Sequence, residues 1–215
     1  MPTAPKHDAR VVEKLLRRAV HQRTIAEAVT NYSTLPAHLL KENLDAETPE
    51  GERARADMNK AIVAAKTREF KTLGVVLGSR YEDSPIIVDD GSAPPVEHHA
   101  NFEPSAHPGC LAPHAWLDDE TSLYDHFGLG YSLLVLADAG APAADAIEKA
   151  ARAAGVPLKR IDLRGKGLEK LYEAPLALIR PDQYVAWRGS NADAVTLINT
   201  IRGIETRTAA RRAAS

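Results

Sequence analysis

The chain has a single cysteine, Cys110, among 215 residues. That excludes an intramolecular disulfide framework and any two-cysteine redox motif, and it fits a reducing compartment. An excess of charge of one sign is also lacking: 27 Lys and Arg stand against 29 Asp and Glu, a formal net charge of -2. Such a balance offers no electrostatic footprint for nucleic acid or an anionic membrane. No apolar run approaches the ~18 residues needed to cross a bilayer, and the polar, proline-containing start lacks the apolar segment of a signal peptide. The expected location is therefore the cytoplasm. No repeat at a solenoid period is visible. What remains is an ordinary globular composition, 44% apolar and 26% charged. A chain of this length buries roughly 70% of its extended surface and forms one or two domains.

The apolar periods divide the chain. Val12, Leu15, Ala19, Ile25, Val29 and Tyr32 approximate helical spacing over residues 8 to 32, with Asp8 as N-cap. A second helix is better signalled: Thr48 caps, Pro49 suits the first position, and Glu50 and Glu52 complement the positive end of the dipole. Its apolar face runs through Met58, Ile62, Ala65 and Leu73, leaving Arg53, Arg55 and Lys60 in water. Short β-type runs follow at Val75-Val76-Leu77 and Ile86-Ile87-Val88. Residues 1–90 thus read as a helical segment, and residues 91–115, rich in proline and histidine, as an irregular connection over the surface.

Order is clearer in residues 116–204. Tyr131 to Ala137 predicts a buried strand, Pro142 to Ala154 a helix stopped by Gly155, and Leu158 to Leu163 an alternating strand. A short helix near Gly167 to Tyr172 precedes two strands, Leu176 to Ile179 and Tyr184 to Trp187, joined by the turn Arg180-Pro181-Asp182-Gln183. Residues 192 to 202 close the domain as a helix with Ala194, Leu197, Ile198 and Ile201 on one side, and residues 205–215 are a flexible tail. The order β-α-β-α-β-β-α is the thioredoxin-like arrangement, an α/β sandwich in which Pro175 stands where a proline, often cis, opens the third strand. The thiols of that fold would follow the first strand, where this chain has Ala137-Asp138-Ala139-Gly140-Ala141-Pro142. Without a CxxC, disulfide exchange is excluded.

Several motifs together resemble a known family. The run Pro108-Gly109-Cys110-Leu111-Ala112-Pro113-His114-Ala115-Trp116-Leu117, with Ser122-Leu123-Tyr124-Asp125 and Phe127-Gly128, is similar to the entry of the C-terminal domain of FAD-dependent aromatic-ring monooxygenases of the phenol hydroxylase and dichlorophenol monooxygenase type. Ala174-Pro175-Leu176, Leu178-Ile179-Arg180-Pro181-Asp182 and Val185-Ala186-Trp187-Arg188-Gly189 resemble the same family, as do Phe70, Leu73-Gly74, Leu77-Gly78, Arg80-Tyr81 and Ser84 upstream. The resemblance covers about residues 21 to 203. It implies an oxidoreductase in which FAD, reduced by NADH or NADPH, activates oxygen to hydroxylate a phenolic ring. Cradling FAD requires a G-x-G-x-x-G turn between strand and helix. Gly128-Leu129-Gly130 lacks the third glycine and leads into a strand, and no Gly-Asp pair followed by Ala-His occurs. The flavin-binding part is therefore expected to precede Met1, and no FAD is expected on this chain alone.

Other candidate sites have plainer readings. His98, His99, His107, Cys110 and His114 imitate metal-ligand spacing, but loop histidines more often face solvent or make structural hydrogen bonds. Cys110 lies outside the place a peroxidatic thiol of this fold would use, and reads as an inert thiol under a loop. Arg80-Tyr81 could touch a cofactor or substrate, with pairing to Glu82, Asp83 or Asp89 as the structural alternative. Arg180-Pro181-Asp182 and Trp187-Arg188 set a hairpin and its packing, and Arg164-Gly165-Lys166-Gly167 is a solvated turn without P-loop spacing. The expectation is the C-terminal, structural or oligomerisation portion of a phenol-type monooxygenase, with no catalytic, cofactor-binding or metal residues of its own. The competing classes are a non-enzymatic dimerisation or scaffold module, and a thiol- or metal-dependent enzyme on the same fold. Apolar surface freed from the flavin region favours self-association or a flavin-binding partner polypeptide.

Overall fold

The computed structural model describes residues 42–204, apart from Asp119 and the side chains of residues 65, 66, 68 and 69. The helix expected over residues 8 to 32 and the tail expected from residue 205 lie outside the described residues. The chain divides into two compact units, Met1–Thr72 and Leu73–Ser215.

In the first unit, helix α1 (Pro49–Phe70) starts where the capping chemistry places it: the Thr48 hydroxyl accepts the Gly51 N–H at 3.2 Å, and Pro49 opens the first turn. Met58 and Ile62 are half-buried and Ala54 is buried, while Arg53, Arg55 and Lys60 are exposed. Arg55 donates through Nη1 to the carbonyls of Leu44 and Ala46, at 2.8 and 3.0 Å, tying the preceding turn to the helix. Leu73 is not on the stripe of this helix; it begins the next element.

The second unit starts with a correction. Val75-Val76-Leu77, expected as a strand, is one helical turn, α2 (Leu73–Val76), closed by Leu77 N–H to Leu73 O at 2.9 Å and Gly78 N–H to Gly74 O at 3.1 Å. Among the described residues no neighbouring strand offers these residues a ladder, and local hydrogen bonding overrides the β preference of valine. Ile86 to Val88 also forms no strand of its own. Val88 makes a single edge bond, its N–H donating to Ala186 O at 2.8 Å, and Ile87 and Val88 pack on the core.

The remaining elements follow the expected order. They are β1 (Tyr131–Val135), α3 (Ala141–Ala153), β2 (Leu158–Asp162), α4 (Glu169–Tyr172), β3 (Leu176–Ile179), β4 (Val185–Gly189) and α5 (Ala194–Ile201). The sheet order is β2-β1-β3-β4, with β1 parallel to β2 and antiparallel to β3, and β3 antiparallel to β4. Parallel pairing of β1 and β2 needs a crossover, and α3 supplies it. The strand period of two then sorts the core into two layers. Leu133, Val135, Leu176, Leu178 and Trp187 face Ala144, Ile147 and Ala151 of α3 and Leu197, Ile198 and Ile201 of α5. Leu134, Ala177, Ile179 and Val185 face Tyr172 of α4, Leu123, Ala106 and Ala112.

Those last two alanines change the reading of the Pro/His-rich connection. It does not merely lie over the surface. Ala106 and Ala112 are buried, and the segment seals the outer edge of β4: Gly109 N–H donates to Val185 O at 2.8 Å, Val185 N–H to Cys110 O at 2.9 Å and Ala112 N–H to Gln183 O at 2.9 Å. An edge strand left open exposes unpaired amides, and this covering removes them. Pro175 opens β3 with a trans peptide bond, there being no cis bond among the described residues. Its carbonyl accepts the Leu136 and Ala137 N–H groups at 2.9 and 3.3 Å.

Candidate functional site

Side chains that carry charge into the second unit converge at Arg188. Lying on β4, it is 8% exposed and donates to Asp90 Oδ2 (2.6 Å, from Nε), Glu173 Oε2 (2.8 Å) and Tyr172 O (3.2 Å) from Nη1, and Ser92 Oγ (3.2 Å) from Nη2. Ser92 donates to Asp90 Oδ1 at 2.5 Å and lies 2.9 Å from His107 Nδ1. Burial pushes the Asp90 carboxyl up, but the hydrogen bonds from Ser92 and Arg188 outweigh it and hold its pKa at about 2. Burial lowers the His107 pKa; Asp90 opposes that and Arg188 reinforces it. Asp, Ser and His stand together here, but in the wrong order for a nucleophile. The single hydroxyl proton of Ser92 goes to the carboxylate, so His107 Nδ1 donates to Ser92 Oγ and has no proton to take from it. The cluster is a clasp between the connection, β4 and the end of α4.

The metal-like spacing does not converge. His98 Nδ1 accepts the backbone N–H groups of Ala100 and Asn101, at 3.3 and 3.1 Å, and His99 is half-buried. His107 belongs to the clasp. His114 Nε2 lies 3.0 Å from Ser122 Oγ, with its ring edge-on to Trp116 and Tyr124. Cys110 is buried; burial raises its thiol pKa, and the charges of Arg80 and Arg188 only partly oppose this. Among the described residues no three His, Cys, Asp or Glu side chains come together as metal ligands.

The turn after β1, which carries no cysteine, is a 3-10 turn over Asp138–Gly140. Asp138 Oδ1 accepts from Arg164 Nη1 at 2.9 Å, and Arg164 also holds Asp162 through Nε at 2.8 Å and through Nη2. Lys166 pairs with Asp118, so the Arg164-to-Gly167 segment is a turn pinned by surface ion pairs. A dinucleotide does not fit this turn. It has no glycine series to bring backbone N–H groups to a pyrophosphate, and it presents a carboxylate instead. Arg180 grips Asp182 in a two-point pair, Nε to Oδ1 at 3.0 Å and Nη2 to Oδ2 at 2.7 Å, and closes the β3–β4 turn. Its guanidinium carbon lies 4.4 Å from the centre of the Tyr81 ring, which meets Tyr184 edge-on.

Arg80 pairs with Glu82, one of the partners expected, and more loosely with Glu97 at 3.5 Å, and gives Nη1 to Pro95 O at 2.8 Å. It lines a cleft of about 290 Å³ together with Leu77, Ser79, Phe102, Ser105, Cys110 and Leu111. Sequence reasoning singled out Arg80 and Arg188 but not Asp90, Ser92, Glu173 or Tyr172. These lie 98, 96, 15 and 16 residues from Arg188, and no local spacing links them to it.

A family profile described as "Aromatic-ring hydroxylase, C-terminal" matches residues 105–209. This segment is an aromatic-ring hydroxylase C-terminal domain. Phenol 2-monooxygenase of a Pseudomonas species is 29% identical over 187 residues, covering 78% of this chain and 30% of that protein. 2,4-Dichlorophenol 6-monooxygenase of Delftia acidovorans is 29% identical over 164 residues, 67% of this chain and 27% of its own. Among solved structures, the rebeccamycin biosynthetic enzyme RebC with reduced flavin superposes with a TM-score of 0.68 at 33% identity, covering 87% of this chain and 35% of RebC. The flavin-dependent monooxygenase PieE, in complex with FAD and substrate, gives 0.66 at 25% identity over 88% and 38% of the two chains. The chain therefore spans about 30% of the length of the relatives it matches. The clasp, the covered β4 edge and the thiol-free turn all belong to the aromatic-ring hydroxylase C-terminal domain and the short segment that precedes it.

Proposed function

We propose that this chain serves as the C-terminal portion of a phenol-type FAD-dependent monooxygenase, with a structural and subunit-joining role and no hydroxylation of its own. One observation carries the reading: Arg188, the buried charge of β4, and its partner Asp90 spend their hydrogen bonds on each other and on Ser92, Glu173 and Tyr172. Groups so occupied hold a structure together and leave nothing to a reacting molecule. FAD, and NADH or NADPH as reductant, would be held by residues of a flavin-binding polypeptide. Trp116 and Leu129, exposed on the second unit, supply apolar surface for association with such a partner or with a second copy. Three measurements test this on the purified chain: FAD fluorescence titration, phenol-dependent oxidation of NADH or NADPH, and sedimentation velocity. The expected outcome is no saturable flavin binding, no reductant consumption and a species heavier than the monomer. Stoichiometric FAD binding would overturn the reading, and so would a monodisperse monomer that also fails to restore hydroxylation when mixed with a flavin-domain polypeptide.

A further inference from the structure

The two edges of the sheet differ. The connection seals β4, but beyond β2 no described segment pairs with the backbone. The ladder to β1 shows which groups are left. Tyr131 N–H donates to Pro157 O at 2.9 Å and Leu163 N–H to Val135 O at 2.8 Å, so Lys159 and Ile161 turn their N–H and C=O groups to β1. Leu158, Arg160 and Asp162 turn theirs outward, where none has a backbone partner among the described residues. An open row of this kind is a template for another strand.

Charge on this edge is of both signs, and its order is self-complementary. When two copies of β2 run antiparallel with Ile161 facing Ile161, Arg160 of each stands opposite Asp162 of the other, and each such pair exchanges two backbone hydrogen bonds. A register that faces Arg160 with Arg160 opposes like charges instead. Arg160 gives Nη1 to Asp145 and Glu148 of α3, and its Nε and Nη2 have no partner among the described residues. Asp162 is held by Arg164 but exposed, and a carboxylate has lone pairs for a second cation. Leu129 adjoins the same edge. It is fully exposed, and the glycines flanking it pack on the start of β2: an added Cβ would lie 3.2 Å from Lys159 Cβ at Gly128 and 2.3 Å from Pro157 O at Gly130. We propose that β2 pairs antiparallel with β2 of a second copy about a two-fold axis at Ile161, joining two four-stranded sheets into one. This pairing rests on the subunit-joining role proposed above and gives it a surface. It closes on itself, since the β4 edges are already covered, and so stops at a dimer. Five strand residues a side, against the roughly 20 of a standard interface, make the contact weak and concentration-dependent.

The test uses the full chain at rising concentration. Amide exchange is expected to slow at Arg160 and Asp162 and to stay unchanged at Lys159 and Ile161, which β1 already protects. Sedimentation velocity then compares charge variants. R160E alone and D162K alone set like charges face to face and should each weaken self-association about tenfold. An equal mixture of the two should restore it, because every facing pair is again of opposite sign. No concentration-dependent slowing at Arg160 and Asp162, self-association unaltered in both variants, or no recovery on mixing would each overturn the pairing. Slowing that appears only on adding a flavin-domain polypeptide would give the edge to that partner and overturn it too. The exchange measurement uses the unaltered chain and decides the matter even if a variant fails to fold. The subunit-joining role survives all of these outcomes; it fails only if the chain neither self-associates nor restores hydroxylation with a flavin-domain polypeptide.

Discussion

Arg188 Nε donates to Asp90 Oδ2 at 2.6 Å across 98 residues of sequence, so a residue of the last strand fixes the start of the connection that covers that strand's edge. Arg188 is buried and the Asp90 side chain half-buried, with side-chain exposures of 8% and 15%. Forming such a pair costs desolvation, which the further bonds to Ser92, Glu173 and Tyr172 O offset. Its clearest contribution is therefore positional: it selects one path for residues 89 to 112 out of the many a Pro-rich loop could take.

Removing one partner of the pair should destabilise more than removing both. Arg188→Met leaves the half-buried Asp90 carboxylate with Ser92 and, at 3.9 Å, His107 to answer it, and the expected loss is about 2 kcal/mol. Asp90→Asn should cost less, and the double variant should fall well short of the sum of the two. Urea unfolding of the four proteins forms the cycle. Strict additivity would mean that the two residues do not act as a pair.

Acid should weaken the second unit in two stages. His107 has a pKa lowered from its ordinary 6.5, so folding favours its neutral form; that stability is present above pH 6.5 and is lost as the pH falls through the lower folded value. Asp90 titrates near 2 in the fold against an ordinary 3.8, so its contribution is present above 3.8 and is lost as the pH falls toward 2. His107→Asn should flatten the upper stage and Asp90→Asn the lower. Unfolding free energies measured across pH 7 to 2.5 in each variant separate the two, and parallel curves for all three proteins would refute the assignment.

How much of this was legible beforehand depends on how local each signal is. The β-α-β-α-β-β-α order is written in short-range patterns: the apolar run from Tyr131, the alanine-rich helix before Gly155, and the Arg180-Pro181-Asp182-Gln183 turn, closed by Gln183 N–H to Arg180 O at 3.0 Å. Thr48 and Pro49 set the start of α1 in the same way. Val75-Val76-Leu77 misled because β-branched residues fit a strand only where a neighbour offers a ladder, and none does among the described residues. The clasp was half legible. Arg188 stood in a recognisable Trp-Arg-Gly motif, but its partners Asp90 and Ser92 belong to an irregular stretch whose side chains follow no period. The connection itself hides its role, because edge-covering backbone bonds such as Gly109 to Val185 leave no mark on residue type.

Gly109 is the exception, since its conformation demands glycine. It has φ +91°, and a Cβ there would lie 2.6 Å from Tyr81 O, the residue whose own N–H donates to Gly109 O at 2.8 Å. Gly109→Ala should therefore strain the backbone and push the Tyr81 segment away, at a cost of roughly 2 kcal/mol. Gly155→Ala serves as the control. It also has positive φ, at +68°, but nothing lies within 4 Å of the added Cβ, and a smaller loss of about 1 kcal/mol is expected. Equal losses in the two variants would show that the close approach to Tyr81 contributes nothing.

Tyr172 offers the sharpest test of whether the connection is part of the core. Its side chain is fully buried, and its hydroxyl donates to Pro113 O at 2.7 Å, joining α4 to the far end of the connection. Burial drives the phenol pKa far up, so the group stays a neutral donor at any pH the protein survives. Tyr172→Phe keeps the ring and strands one buried carbonyl, which should cost about 1 to 2 kcal/mol. Tyr172→Ala empties the layer beneath Leu123 and Ala112 as well, and should cost about 3 to 5 kcal/mol. Hydrogen exchange distinguishes the two effects. In Y172F the Ala112 amide, bonded to Gln183 O, should lose protection while the Leu134 amide keeps it. If both amides exchange at wild-type rates, the connection folds over the sheet without help from this hydrogen bond.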